Sequence, residues 1–292
     1  MQQPKWIHLN GQLVPTEQAL LHVSDLALLR GYGVFDFMPV RQGVPLFLDR
    51  YLDRFQRSAN WLNLPWITDR DTLKTWIFET IEANRLPIAG IKLVLTGGYS
   101  PDGFLPASPN FIIINQLYPI GSEEQFRNGV KLHLFQHVRE LPEAKTLNYM
   151  IPIRAWSEVK QSGAFDLLYH DGTFISESSR SNFFVVTQDG VLVTPDKGVL
   201  KGTTRGSVVE VAASLGIPVE EREVTLAELR QAAEAFITST TKGVLGVVGT
   251  QGGAIGTGKV GVITQHLHDG FLAFSQAYFD EHAALAFSSS PA

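Results

Sequence analysis

Residues 167–186, LLYHDGTFISESSRSNFFVV, hold the pattern that decides the fold of the second half of the chain. The dipeptide Asp171-Gly172 lies between two apolar runs and predicts a β-hairpin with a two-residue turn. Residues 183–186 form a further run of strand-forming residues. Between these runs, residues 176–182 are all polar, and a solvated loop is the simplest interpretation because connecting segments usually lie on the surface. Their acid, arginine and short hydroxyls fit a pocket wall better than a linker.

The composition is that of a globular enzyme and excludes several classes of partner. The chain has 292 residues, of which 44% are hydrophobic and 18% charged, with a net charge of −5. This length can bury a core in one large domain or in two. The charge gives no electrostatic reason to expect nucleic acid or an anionic membrane as a partner. No apolar run reaches about 18 residues, and the N-terminus has no signal-peptide pattern, so we expect a soluble, cytoplasmic protein.

Metal and thiol chemistry are also not expected. The chain has no cysteine, which excludes disulfides, thiolate nucleophiles and zinc–thiolate sites. His266 and His268 have no third ligand at a suitable spacing, so we predict no metal site.

Periodic patterns in the first 119 residues predict a mixed α/β domain. Asn10-Gly11 predicts a hairpin, residues 34–40 and 91–95 predict strands, and residues 71–84 predict a helix. Residues 48–62 carry apolar side chains at helical spacing. The arginines between them are typical of a solvated helix face; they are Arg50, Arg54 and Arg57.

Residues 118–129, YPIGSEEQFRNG, have the proline, glycine and charge of a linker and little apolar content. We therefore predict a smaller N-terminal domain over residues 1–119, a linker over 120–129 and a larger C-terminal domain over 130–292. In the C-terminal domain we predict helices over 147–161 and 263–282.

Two clusters of hydroxyl groups are candidates for binding phosphate. Gly202-Thr203-Thr204 precedes a predicted helix, where unpaired N–H groups and the helix dipole favour an anion. Ser239-Thr240-Thr241 follows a predicted strand. Either cluster alone is equally an ordinary cap or turn, whereas both together with the arginines of the first domain would form a complete phosphate cup.

Residues 253–260, GAIGTGKV, suggest a protein of a different class. They fit the GxxxxGK pattern of nucleotide phosphate loops, but Val260 stands where a hydroxyl should reach Mg²⁺. Little chain follows for the sheet that such a loop serves. A nucleotide-binding protein is therefore the alternative of a different class.

The order of four motifs resembles one family. EAKTLNY at 143–149, SESSRSNFF at 176–184, LKGTTRG at 200–206 and ITSTTKG at 237–243 stand in the order found in the fold-type-IV pyridoxal-phosphate enzymes. The resemblance spans nearly the whole chain, because WIHLNGQ, RGYGVFDF and DRFQRSA also resemble that superfamily's N-terminal domain. It implies an α/β (α+β) fold of two domains with pyridoxal 5′-phosphate in the cleft between them. It also implies a homodimer in which an N-terminal loop completes the neighbour's site.

The resemblance implies roles for individual residues. Lys145 matches the lysine that forms the Schiff base, and Glu177 matches the acid that faces the pyridine nitrogen. The other matching residues contact the cofactor's phosphate (Arg54, Thr203, Thr204 and Thr240), its ring (Leu200) and its ring hydroxyl (Tyr149, with one residue less spacing than in some members). The acid keeps the ring protonated and electron-accepting. To carry protons Lys145 must be neutral, which burial and a nearby cation favour.

The substrate is the least constrained part of the resemblance. The D-amino-acid branch carries an arginine after the strand at 91–95, where this chain has Gly97. Further candidates for binding the substrate are three surplus cations and a hydroxyl: Arg30, Lys92, Arg180 and Thr241. Each cation alone could equally be an ordinary surface charge, but together they suggest a carboxylate site shifted within the fold.

We therefore expect transfer of an amino group between a D-amino acid, such as D-alanine or D-glutamate, and 2-oxoglutarate or pyruvate. A branched-chain L-amino-acid aminotransferase, an aminodeoxychorismate lyase and a cofactor-binding protein without turnover are the alternatives.

Overall fold

A computed structural model of the protein describes residues 4–287. They divide into two compact units, one formed by residues 4–119, 144–148 and 275–287 and the other by residues 120–143 and 149–274. The segment 144–148, which the sequence places in the C-terminal domain, groups with the first unit. No helix among the described residues is both long and apolar enough to cross a membrane.

The first unit is built on an antiparallel sheet in the order β2-β1-β6-β5-β3-β4. Its strands are β1 (Trp6–Leu9), β2 (Gln12–Pro15), β3 (Gly33–Arg41), β4 (Val44–Pro45), β5 (Ile88–Thr96) and β6 (Phe111–Gln116). Asn10 and Gly11 both have positive φ angles and form the predicted turn between β1 and β2. Side chains of β3 are alternately buried and partly exposed, so this sheet has one core face.

The α-helices that lie wholly within the described part of this unit are α1 (Leu26–Arg30), α2 (Leu48–Trp61) and α3 (Arg70–Asn84). The predicted apolar positions of α2 are buried, and the Phe55 ring lies 5.7 Å from that of Phe111 on β6. Arg54 does not lie on a solvated face, because it is 6% exposed and paired with the buried Asp36 of β3.

Segment 144–148 groups with the first unit because it bonds to the edge of β3. The Phe35 amide donates to the Lys145 carbonyl (2.9 Å), and the Leu147 amide donates to the Gly33 carbonyl (2.9 Å). A Cβ on Gly33 would lie 2.8 Å from the Leu95 carbonyl oxygen and 2.7 Å from Leu147 Cδ1, so the close approach of these backbones favours a glycine.

The second unit contains a closed sheet. The strands are β7 (Val130–Gln136), β8 (Asp166–His170), β9 (Phe174–Ser178), β10 (Ser181–Val186), β11 (Leu192–Thr194), β12 (Val219–Glu221), β13 (Val224–Thr225), β14 (Glu234–Ser239), β15 (Gly243–Thr250) and β16 (Gly253–Ala254). Because β9 pairs with both β8 and β10, the strands in the order β10-β14-β15-β7-β8-β9 form a ring. Apolar side chains from all six strands, among them Leu168, Ile175 and Phe183, fill one common core.

Helices cover this ring. They are α4 (Glu123–Asn128), α5 (Met150–Arg154), α6 (Trp156–Gln161), α7 (Thr203–Ser214), α8 (Leu226–Gln231) and α9 (Val262–Glu281). Val208 and Val211 of α7 and Leu267 of α9 pack with Phe184 and Phe236 of the sheet in a second apolar cluster.

The interpretation of residues 176–182 as a solvated loop is wrong. The predicted hairpin at Asp171-Gly172 joins β8 to β9, but a second hairpin follows, in which β9 pairs with β10 around the turn Ser179-Arg180. Glu177 and Asn182 are 4% and 6% exposed. Strand pairing satisfies backbone groups of this polar run, and the buried side chains of Glu177 and Asn182 bond to each other.

Two further predictions need correction. The predicted linker contains α4, whose capping box joins Ser122 and Gln125 in both directions. The helix predicted over 147–161 is two short helices, α5 and α6, which meet at Ala155.

Candidate active site

A buried carboxylate, Glu177, is the centre of a group of bonded residues in the second unit. Its Oε1 accepts from Arg139 Nη1 at 2.7 Å. Its Oε2 accepts from Asn182 Nδ2 and from the Leu200 amide, both at 3.1 Å. Donors on both oxygens stabilise the charged form of a buried carboxylate.

Four charged residues, one of them Glu177, act on the ionisation of Tyr149. Burial raises the pKa of Tyr149 to about 12, and two carboxylates (Glu177, Asp166) and two guanidinium groups (Arg139, Arg180) act on it with opposite signs. The phenol therefore stays neutral at physiological pH and retains a proton to donate. Burial likewise raises the pKa of Tyr169, with Asp166 as the next cause.

Asn182 connects Glu177 to the segment before α7. Its Nδ2 also donates to the Leu200 carbonyl (2.7 Å), which fixes the residue predicted to pack on a ring. A Cβ on Gly202 would lie 2.1 Å from Asn182 Oδ1, so the chain passes Asn182 too closely for a side chain.

The start of α7 has the features of an anion site. Its N-cap is Gly202, which offers no side-chain cap, so the first N–H groups of this 12-residue helix receive no side-chain acceptor from that position. Thr203 and Thr204, in the first turn, are 8% and 5% exposed. The helix dipole favours negative charge at this end.

The second hydroxyl cluster forms the turn between β14 and β15. Ser239 pairs with Gly243, and Thr240, Thr241 and Lys242 lie between them. The Ser239 hydroxyl oxygen is buried and has no hydrogen-bond partner among the described residues. Lys242 is 9% exposed, and its Nζ lies 3.1 Å from Ser181 Oγ.

In the first unit, two lysines face the same aromatic ring. Lys145 Nζ lies 4.4 Å and Lys92 Nζ 5.4 Å from the ring centroid of Phe35. The Lys145 amide donates to Ser58 Oγ at 3.0 Å, which fixes its backbone to α2. Burial and the neighbouring ammonium of Lys145 lower the pKa of Lys92. The repulsion is mutual, so Lys92 also disfavours the charged form of Lys145.

Arg54 is held in a bidentate pair with Asp36. Its Nε lies 2.9 Å from Asp36 Oδ2 and its Nη2 lies 2.5 Å from Oδ1. The Tyr51 ring lies under the guanidinium at 5.0 Å. A planar guanidinium gripped in this way is pre-oriented for a second anion.

The other predicted cations are in different settings. Arg30 is exposed and donates to the Leu29 carbonyl. The side chain of Arg180 is 50% exposed; its guanidinium lies 5.6 Å over the ring of Trp156 and 3.5 Å from Asp166 Oδ2. The structure therefore places Arg180 near enough to Tyr149 for its charge to lower that phenol's pKa, and Lys92 near Lys145, whereas Arg30 lies in the last turn of α1.

Residues 253–260 do not form a nucleotide phosphate loop. Ala254 pairs with Gly249 in the short hairpin of β15 and β16. The N-terminus of α9, where a phosphate would bind, is occupied by the carboxylate of Glu234, which accepts from the Ile263 and Thr264 amides at 3.1 and 2.7 Å. An anion is already in that place.

Comparison with known proteins identifies the family. The model of the amino-transferase class IV family matches residues 33–249. The chain belongs to the class IV aminotransferases. A putative branched-chain-amino-acid aminotransferase of Methanocaldococcus jannaschii is 33% identical over 91% of this chain and 94% of its own length. A D-alanine aminotransferase of Listeria innocua is 30% identical over 90% and 94%.

Solved structures agree with this family and with the predicted fold. A branched-chain amino acid aminotransferase of the organism abbreviated T.th., solved with pyridoxamine 5′-phosphate, superposes with a TM-score of 0.87 at 25% identity, covering 98% of both chains. That of Escherichia coli superposes with a TM-score of 0.85 at 26% identity, covering 92% of this chain and 94% of its own. The predictions of a fold-type-IV, pyridoxal-phosphate-dependent transaminase are therefore confirmed.

The residues present in this aminotransferase fit pyridoxal 5′-phosphate. The start of α7 offers helix N–H groups beside two buried hydroxyls, and Ser239 Oγ is a buried hydroxyl that lacks a partner among the described residues. Glu177 is a buried carboxylate suited to a protonated pyridine nitrogen, and Lys145 is a lysine beside a second cation. When bound, the cofactor supplies an electron sink for the bonds at the substrate's Cα.

Four residues of this arrangement are missed by reasoning from the sequence. They are Asp36, Arg139, Asn182 and Lys242. Asn182 is the last residue of the polar run 176–182, which the sequence marks as a solvated loop or a pocket wall. The partners of Asp36 and Arg139 are 18 and 38 residues away, and no local pattern reveals such pairs.

Proposed function

We propose that this transaminase uses D-amino acids as amino donors, such as D-alanine or D-glutamate, with 2-oxoglutarate or pyruvate as acceptor. The observation that carries the proposal is the similarity to D-alanine aminotransferases, such as that of Listeria innocua. The space at Gly97 bears on which residue would bind the substrate carboxylate. A Cβ there would lie 2.8 Å from Tyr32 Cδ1 and 3.1 Å from Leu26 Cβ. A side chain at this position would require Tyr32 and Leu26 to shift, and this chain has no arginine there, so we propose that another cation binds the substrate carboxylate.

Arg180, Arg30 and Lys92 are the cations proposed to do so, with Thr241 as a further contact. Arg180 is the best supported of these cations, because its guanidinium is half exposed and its ion pair with Asp166 is long, at 3.5 Å. Its five donors can bind a carboxylate in bidentate fashion. Such a pair fixes orientation as well as affinity, and orientation decides which enantiomer presents its Cα–H to the base.

Lys145 is proposed as the lysine that binds the cofactor covalently and then carries the proton at the substrate's Cα. Its Nζ must be neutral to accept that proton. The positive charge of Lys92, placed against the same Phe35 ring, supports this role.

The remaining cofactor contacts follow the family pattern and stay proposals. Glu177 would hold a proton on the pyridine nitrogen, Tyr149 would donate to the ring hydroxyl and Leu200 would pack on the ring. The phosphate contacts are proposed for Arg54, Thr203, Thr204 and Thr240.

The test is a single half-reaction. The yellow holoenzyme is mixed with D- and L-forms of alanine, glutamate and leucine, and loss of the visible cofactor band is followed by stopped flow. We expect faster bleaching by D-alanine or D-glutamate than by any L-amino acid. Faster bleaching by L-leucine would favour the branched-chain function, which the Methanocaldococcus jannaschii relative supports. A lyase would instead turn over an amino derivative of chorismate.

Variants test whether these arginines bind the substrate carboxylate. The double variant Arg30→Ala, Arg180→Ala should raise the KM for D-substrates, while Arg154→Ala, which changes an exposed arginine of α5, is the matched control. Unimpaired turnover of D-substrates by the double variant would refute the proposal that these arginines bind the carboxylate.

A homodimer is proposed from exposed apolar side chains of the first unit. Leu28 and Phe104 are 69% and 75% exposed. Their segments are held together by the Leu26 amide, which donates to Gly98, and the Ser100 amide, which donates to Ser24. Exposed patches of this kind mark interaction surfaces. A monomer in sedimentation velocity at micromolar concentration would contradict the dimer. The cytoplasmic location stays a prediction.

A further inference from the structure

Arg139 belongs to the segment that follows β7, and it joins two parts of the second unit. Its Nη1 donates to Glu177 Oε1 at 2.7 Å and to the Pro142 carbonyl at 3.1 Å. The side chain of Arg139 is 24% exposed and that of Glu177 is 6% exposed. The pair is therefore shielded from most of the solvent that weakens surface ion pairs.

Arg139 is a cation in direct contact with Glu177, and two other nearby cations have contacts with other residues. Arg180 lies 3.5 Å from Asp166, and Lys242 lies 3.1 Å from Ser181 Oγ. The other two donors to Glu177, Asn182 Nδ2 and the Leu200 amide, are uncharged and lie on the opposite carboxylate oxygen. They orient the group, whereas the Arg139 guanidinium also brings a compensating positive charge.

A guanidinium at this distance stabilises the ionised carboxylate over the protonated one. A carboxylate that binds a proton weakly leaves that proton on a hydrogen-bonded partner. For a pyridine nitrogen facing Glu177, the consequence is a protonated ring, which is the form that accepts electrons.

We infer that Arg139 is a positioning residue that keeps Glu177 ionised and oriented. The proton shared by Glu177 and the cofactor's ring nitrogen would then reside on the nitrogen. This inference rests on the proposed role of Glu177. The contact that carries this role is the one with Glu177, so Arg139 acts through that carboxylate.

Two variants and a control separate charge from packing. Arg139→Met keeps most of the side-chain stem and removes the charge, whereas Arg139→Lys keeps a cation. Arg154→Met changes an exposed arginine of the same unit and serves as the control. Circular dichroism establishes that each variant is folded.

The decisive readout is the ¹⁵N chemical shift of ring-labelled pyridoxal phosphate bound to each protein, because this shift reports protonation of the ring nitrogen. We expect a protonated nitrogen at pH 7 in the wild type, in Arg139→Lys and in the control, and a shift toward the unprotonated value in Arg139→Met. Because Arg139→Met loses a hydrogen bond between charged groups, its half-reaction should be about 10- to 100-fold slower than that of the wild type.

A double-mutant cycle with Glu177→Gln completes the test. If Arg139 acts through the charge of Glu177, Arg139→Met should slow Glu177→Gln by less than about twofold, because no carboxylate remains to stabilise. An undiminished effect in that background, or a wild-type ¹⁵N shift in Arg139→Met, would overturn the inference. A wild-type protein that binds no pyridoxal phosphate would instead overturn the proposed function and this inference with it.

Discussion

Replacing Asp36 by Asn should destabilise the protein strongly, because it leaves the Arg54 guanidinium buried without its counter-charge. The two side chains are 0% and 6% exposed and share hydrogen bonds of 2.9 and 2.5 Å. Breaking a buried ion pair from one side typically costs about 3–5 kcal/mol. The asparagine keeps the size of the side chain, so little of this cost comes from a cavity.

The measurement is the free energy of unfolding from urea titration at pH 7, followed by tryptophan fluorescence. Four of the five tryptophans, at positions 6, 61, 66 and 76, lie in the first unit and report its unfolding. The double variant Asp36→Leu, Arg54→Met removes both charges and should cost less than Asp36→Asn alone. A loss below about 1 kcal/mol for Asp36→Asn would refute the reasoning.

Two further predictions concern other buried contacts. Burial lowers the pKa of His8 to about 4, so the folded state disfavours its charged form. The contribution of neutral His8 to the free energy of unfolding is therefore fully present above the ordinary pKa of 6.5 and is lost as the pH falls toward 4. Wild type should lose ~2 kcal/mol more than His8→Phe between pH 7 and pH 5 in urea titrations, and equal losses would contradict this. Gly202→Ala should weaken cofactor affinity at least tenfold, since its Cβ would displace the Asn182 side chain that holds Glu177; an unchanged dissociation constant in fluorescence titration of the apoprotein would show that this contact is unimportant.

Local patterns in the sequence are sufficient for the regular elements. A hairpin forms at Asp171-Gly172 as predicted, although three residues (171–173) separate its strands instead of two, and α2 buries the apolar positions that its spacing predicts. Local patterns fail where a long-range partner decides the environment. Arg54 has the spacing of a solvated residue but is buried, because Asp36 on another element neutralises it.

The polar run 176–182 shows the same limit for strands. Alternating hydrophobicity identifies strands that have an apolar face, whereas β9 and β10 present Glu177 and Asn182 to buried polar partners. Family resemblance proposes Glu177 and Lys145 as site residues because it compares the order of motifs over the whole chain. It does not find Arg139, whose partner is known only from the fold.

The central claim, that this transaminase binds its cofactor through Lys145, is tested most directly by chemical trapping. The yellow protein is reduced with borohydride and digested, and the peptides are sequenced by mass spectrometry. We predict one phosphopyridoxyl group, on Lys145, and no trapped cofactor in Lys145→Ala. A phosphopyridoxyl group on another lysine, such as Lys92 or Lys242, would contradict the account.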